Sequence, residues 1–166
     1  MNVTAYLERI NYHGPTAPTA ETLRELHRAH MLALPFENLD IHLGREIGHD
    51  DERLYAKVVE RRRGGFCYEL NGAFAALLRD LGFSVKKLAA GVARADGSFG
   101  PTFDHMALLV ELDMRWLADV GFGEGFREPL RLDEAGEQAQ AFGAYRIRQA
   151  GEYRLLEARE GNEWQP

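Results

Sequence analysis

The apolar residues of this chain change their spacing once, near Gly82. Before it they recur at helical intervals. Leu70, Phe74, Leu77, Leu78 and Leu81 form the clearest stripe, and Gly82 closes it. After it come runs of strand length, at residues 83–92, 106–112 and 115–120. Segregated halves of this kind point to an α+β fold, with helices gathered on one side of an antiparallel sheet system. We expect a helical domain over residues 1–82 and an antiparallel, strand-rich domain over residues 83–166.

Smaller signals fill in this order. Tyr6, Leu7 and Ile10 predict a short first helix. Thr19 is placed to cap a second, whose stripe runs through Leu23, Leu26, His30 and Ala33 until Pro35 stops it. Asp50 or Asp51 can cap a third, bearing Leu54, Tyr55, Val58 and Val59, with Gly64-Gly65 as its end. Asp113-Met114 reads as the turn between two strands. Residues 145–148 and 153–156 read as a hairpin about Ala150-Gly151. Gly161-Asn162 is a further turn signal with only four residues beyond it, so the chain reads as a fragment that ends soon after a turn.

Composition narrows the partners. The 166 residues are 45% hydrophobic, enough to build a core, and no apolar run is long enough for a membrane-spanning helix. The N-terminus lacks the basic and apolar regions of a signal peptide. A formal net charge of −6 argues against nucleic-acid binding. Arg61, Arg62 and Arg63 are a local exception, read as a solvated helix end whose cations complement the dipole. No membrane or nucleic-acid partner is expected.

Cys67 is the only cysteine, so no internal disulfide can form, which fits a reducing cytoplasm. It stands in RRRGGFCYELNGAF, between a glycine pair and the helical stripe. A helix start offers free backbone N–H groups and a positive dipole end, and both favour thiolate. The other reading is a small buried hydrophobe, and position alone leaves both open.

A thiolate nucleophile needs an imidazole. His13 and His49 read as surface residues, and His42 is ambiguous. His27 and His30 are three apart on one helix, but no Cys, Asp or Glu beside them completes a site. They read as polar surface or rim, and no metal is expected. His105 differs, because it opens the apolar strand HMALLV directly after the turn-rich DGSFGPTFD. Asp119, inside RWLADVGFG, is an acid among apolar neighbours and needs a partner. A hairpin about residues 113–114 puts His105 and Asp119 at one end of the sheet, where they can meet. The alternative for Asp119 is a strand-end acid bonded to turn amides. GFGEGF lacks the strand–helix context of a dinucleotide site and reads as a loop.

RGGFCYELN, DHMALLV and WLADVGFG, in this order and spacing, resemble the three catalytic blocks of the arylamine N-acetyltransferases. LPFENLDIHLG and LRELHRAHMLALPFENL resemble two further stretches of that family. The resemblance implies a helical domain followed by a β-barrel domain, with Cys, His and Asp in a papain-like arrangement. It implies Cys67 as nucleophile, His105 as base and Asp119 as the orienting acid. It implies acetyl-coenzyme A as donor and an arylamine, arylhydroxylamine or hydrazine as acceptor. By motif position Phe36 and Phe122 would line the acceptor pocket, and Pro101 and Thr102 would approach the coenzyme. Glu37 and Arg63 would form a structural ion pair near the site. Family members carry a third α/β domain beyond the barrel, and this chain stops before it. Two alternatives share the resemblance: an amide synthase with the same triad, and a fragment that binds aromatic ligands without turnover. A papain-type peptidase fits less well, since nothing signals a pro-segment or peptide groove.

Overall fold

The helices begin where short polar side chains can cap them. In a computed structural model describing residues 1–166, Asn2 caps α1 (Val3–Arg9). Thr19 caps α2 (Ala20–Ala33) through the Thr22 N–H at 3.2 Å. Leu23, Leu26, His27 and His30 form its buried face. Pro35 forces Leu34 into extended backbone and ends it. A short α3 (Leu39–His42), absent from the sequence reading, follows, with Glu37 accepting the Leu39 N–H at 2.8 Å.

Asp50 caps α4 (Asp51–Tyr55), which passes directly into a π-helical turn, Ala56–Glu60. This stretch does not run on to Gly64-Gly65, as the glycine signal implied. It stops at Arg61, and Arg62 takes up a left-handed backbone at φ 52°. The glycines serve close approach instead. A Cβ on Gly64 would run into the Pro35 carbonyl, and Gly65 pairs in parallel with Phe36. Arg61 and Arg62 are exposed, as expected of a solvated helix end, whereas Arg63 is partly buried.

α5 (Cys67–Asp80) is the centre of the molecule. Leu70, Phe74, Leu77 and Leu78 are almost fully buried, and they share one core with Tyr6, Leu23, Leu26 and Leu54. Behind α5 lies an antiparallel sheet of β1 (Ser84–Ala90), β2 (His105–Glu111), β3 (Arg115–Ala118) and β4 (Leu130–Arg131), in that order. β2 is buried along nearly its whole length because both faces are covered. Leu108 and Val110 join the α5 core, and Leu109 joins a second core with Phe126, Leu130, Leu132 and Ile147.

A second antiparallel sheet closes that smaller core. It comprises β5 (Gln138–Gln140), β6 (Gly143–Ala150), β7 (Tyr153–Glu160) and β8 (Glu163–Gln165). The turn at Gly161-Asn162 therefore leads into a strand. The fold is α+β, and where a β-barrel domain is expected the strands form two four-stranded antiparallel sheets with no closed barrel. The side chains at the junction explain the break. Gln140 accepts the Arg127 and Glu128 N–H groups and donates to the Glu128 carbonyl at 2.6 Å. Gln138 does the same with the N–H and carbonyl of Arg131. Side-chain amides thus occupy the backbone groups that a continuous ladder would have used. No helix is long and apolar enough to cross a membrane.

Candidate active site

Three elements converge at the start of α5. Cys67 is its first residue and is buried, 8% exposed. The Cys67 and Tyr68 N–H groups have no partner in the chain, as expected for the first helical turn. His105 opens β2, and Asp119 follows the last residue of β3. Register pairs Leu108 with Ala118, so the loose ends of the two strands carry His105 and Asp119 to the same edge.

There His105 Nε2 donates to Asp119 Oδ2 at 2.6 Å. The other ring nitrogen, Nδ1, takes no part in the Asp119 bond, and Cys67 is among the groups that act on the charge of the ring. Burial alone would lower the His105 pKa, but the bonds to Asp119 and Cys67 outweigh it and raise it to about 9. The charged imidazolium is thereby favoured over the neutral ring, with the Asp119 carboxylate against it.

Asp119 is fixed on every side. Its Oδ1 accepts the Asn71 amide at 2.8 Å and the Gly121 N–H at 2.9 Å. Asn71, one turn after Cys67 on α5, also donates to the Met106 carbonyl at 2.7 Å and accepts the Val120 N–H at 2.9 Å. Gly121 lies tight against the helix: a Cβ there would sit 2.8 Å from Cys67 Cα. The two readings of Asp119 are thus both realised, since it bonds a turn amide through one oxygen and the imidazole through the other.

His27 and His30 are fully buried and are not polar surface. The Asp119 N–H donates to His27 Nε2 at 3.1 Å, and His27 Nδ1 donates to the Arg127 carbonyl at 3.0 Å. His30 Nε2 hydrogen-bonds the Tyr6 hydroxyl at 2.9 Å. Burial lowers their pKa values to about 4 and about 3, so both are neutral. These partners, which come from distant parts of the chain, satisfy both ring nitrogens of His27 and one of His30, whose Nδ1 is buried without a partner.

The flanking residues are placed unevenly. Phe122 packs edge-on to His105, ring centroids 5.2 Å apart, and is 49% exposed. Phe36 is equally exposed, its backbone beside Gly65. Pro101 and Thr102 lie on an exposed turn just before His105. The turn is tied to α5 by the Tyr68 hydroxyl, which donates to the Phe103 carbonyl at 2.6 Å.

Glu37 and Arg63 do pair, at 2.7 Å, within a larger cluster. Arg63 also holds both oxygens of Asp40, and Lys57 reaches Asp40 at 2.8 Å and both oxygens of Glu69 at 2.7 and 2.8 Å. The bonds from Lys57 and Arg63 hold the Asp40 carboxyl far below the usual carboxylate range. Glu69 in turn accepts the Phe66 N–H at 3.2 Å, half of a capping box at the start of the cysteine helix. Sequence reasoning missed Asn71, His27, Lys57, Asp40 and Glu69. Asn71 left a trace, as an amide four residues from Cys67 on the same helix, just before its apolar run.

Residues 19–166 match the family described as N-acetyltransferase. The arylamine N-acetyltransferase / N-hydroxyarylamine O-acetyltransferase of Salmonella typhimurium is 44% identical over 163 residues, which cover 97% of this chain and 58% of that relative. A solved structure of arylamine N-acetyltransferase from Salmonella typhimurium superposes with a TM-score of 0.91 at 43% identity, covering 98% of this chain and 60% of that one. The Mycobacterium marinum arylamine N-acetyltransferase in complex with CoA gives 0.90 at 39% identity, covering 99% and 63%. The chain thus spans about three-fifths of the length of such relatives. With that match running from α2 through β8, the chain belongs to the arylamine N-acetyltransferase family.

Proposed function

We propose that this chain transfers an acetyl group from acetyl-coenzyme A, through an acetyl-cysteine at Cys67, to the nitrogen of an arylamine, arylhydroxylamine or hydrazine. The observation that carries the reading is the 2.6 Å bond between His105 and Asp119, beside a helix that starts at Cys67. The order is papain-like: cysteine on the helix of the N-terminal half, histidine and acid on the strands of the C-terminal half. The division into domains 1–82 and 83–166 then has a chemical meaning, since the site forms only where they meet.

The steps follow from these atoms. Cys67 Sγ, as the thiolate, attacks the thioester carbon, and the free N–H groups of Cys67 and Tyr68 stabilise the oxyanion. The carbon–sulfur bond to the coenzyme breaks, and the departing thiolate takes the proton of the His105 imidazolium. The amine then attacks the acetyl-cysteine, and neutral His105 takes the proton the nitrogen must lose. Sγ leaves as thiolate, and the imidazolium is restored. A thiolate suits both halves, because its leaving ability resembles that of the donor's own sulfur. Asp119 keeps the imidazole oriented and stabilises its charge.

Phe36 and Phe122, aromatic and half-exposed beside the site, are the residues for an aryl acceptor to stack on. Pro101 and Thr102 would meet the coenzyme on the turn before His105. Glu37 and Arg63 brace the loop that leads to Cys67. A single cysteine used as thiolate fits a reducing cytoplasm. The test is steady-state acetylation of an aromatic amine at several fixed donor concentrations. Parallel double-reciprocal lines, and no product from Cys67→Ala, are expected. Turnover by folded Cys67→Ala at the parent rate would overturn the reading.

A further inference from the structure

Lys57 is the most deeply placed cation of the molecule, 4% exposed, and the acetyl-transfer chemistry above does not use it. Three observations bear on its purpose. It lies in the one π-helical turn, Ala56–Glu60, and an extra residue in a turn shifts which side chains face inward. It bonds both oxygens of Glu69, which sits in the first turn of α5 two residues after Cys67 and caps the backbone just before it. Its remaining partners are the carboxylates of Asp40 at 2.8 Å and Glu37 at 3.5 Å.

Glu69 presents an electrostatic problem for a thiolate site. Its side chain orders the helix start, but a carboxylate bonded to the Phe66 N–H, one residue before Cys67, opposes negative charge on sulfur. A glutamine could cap the same N–H without the charge. The molecule instead keeps the acid and sets a buried ammonium against it. Burial would lower the Lys57 pKa, yet its carboxylate partners raise it, so the ammonium persists. We propose that Lys57, turned inward by the π-helical turn, is a positioning residue that neutralises Glu69 and so keeps the start of α5 favourable to the Cys67 thiolate. The inference rests on Cys67 acting as a nucleophile.

Charged groups surround both centres: Glu46, Arg53 and Arg61 line the cavity beside Lys57, and His49 packs against Phe66 and Tyr68 at the helix start. Lys57 faces Glu37, Asp40 and Glu69, with Arg63 bonded to the first two and Arg45 to Asp40. Cys67 faces His105, which is bonded to Asp119, and has Tyr68 and Glu69 on its own helix. Removing the Lys57 charge leaves three carboxylates against the two arginines. His105 and Asp119 are untouched by that change, so their contribution stays constant across the variants.

The experiment is the rate of Cys67 alkylation by iodoacetamide between pH 4 and 10, with thermal melts on each variant. It needs no acetyl donor, so a failure of the acetyl-transfer reading is seen separately, by acetylation of the parent chain. Lys57→Met should move the midpoint of the profile up by about 0.5–1 pH unit and slow alkylation at pH 6 by about three- to tenfold. Lys57→Met/Glu69→Gln should bring the midpoint back. Glu69→Gln alone should move it down by a similar amount, and this variant serves if Lys57→Met does not fold. A merely structural Lys57 predicts lower melting temperatures with an unmoved midpoint. That result, or a double variant displaced as far as the single one, would overturn the proposal.

Discussion

Replacing Asp119 by asparagine changes one atom and should disable the site through the tautomer of His105. Two donors, the Asn71 amide and the Gly121 N–H, converge on Asp119 Oδ1. In Asp119→Asn the amide oxygen must stay there to satisfy them, which turns the new NH2 group toward His105 Nε2. That nitrogen must then accept, so the ring proton moves to Nδ1, the nitrogen outside that bond. The ring can no longer take the thiol proton. It also loses the carboxylate that helps to raise its pKa to about 9, against an ordinary 6.5, and burial then pulls the value down. The difference corresponds to roughly 3 kcal/mol of preference for the imidazolium. Alkylation of Cys67 at pH 7 should fall by about a hundredfold, and acetyl transfer by about 10³–10⁴-fold. The assay is the iodoacetamide rate against pH, read beside circular dichroism to show that the fold persists. An unchanged pH profile in a folded variant would mean that the 2.6 Å contact only braces the strands.

Acid should destabilise the protein through its two buried histidines. His27 and His30 titrate at about 4 and about 3 in the folded chain, so stability present above pH 6.5 is lost as the pH falls through those values. The full loss is on the order of 3 kcal/mol for His27 and on the order of 5 kcal/mol for His30. Urea unfolding at pH 7, 5 and 4 should show the loss, and Tyr6→Phe/His30→Leu, which removes a bonded pair together, should lessen the slope by about one proton. An unchanged slope would contradict this. Gly121→Ala should destabilise by about 1–3 kcal/mol and slow alkylation, because its methyl would press on Cys67 Cα and the Asn71 amide. A melting temperature and alkylation rate equal to the parent's would show that the loop has room to move.

The residues that were legible in the sequence are those that contradict their surroundings. A lone thiol at a helix start, an imidazole at a strand mouth and an acid inside an apolar strand each need a reason in chemistry, and the imidazole and the acid are bonded at 2.6 Å. The helical and strand halves were legible because periodicity is a local property. What the sequence concealed depends on contacts far along the chain. His27 was unreadable as a buried residue because its partner, Asp119, lies 92 residues away. Lys57 was unreadable because the π-helical turn breaks the helical phase from which its orientation would be inferred. The separation into two sheets is marked by Gln138 and Gln140, whose amides bond backbone groups of residues 128 and 131 in a segment with no apolar pattern. Gly64-Gly65 was read as a helix stop when its real constraint was the backbone of residue 35, in another part of the fold.

The central claim is that Cys67 carries the acetyl group between donor and amine. Intact-mass spectrometry of the chain after brief mixing with acetyl-coenzyme A tests it most directly, with peptide mapping to locate any addition. The expected result is one acetyl group, on the peptide that contains Cys67, absent from Cys67→Ala and lost when an arylamine is added, with the acetylated amine appearing in equal amount. Acetylated amine formed while Cys67 stays unmodified, or an acetyl group on Cys67 that the amine does not remove, would contradict the account.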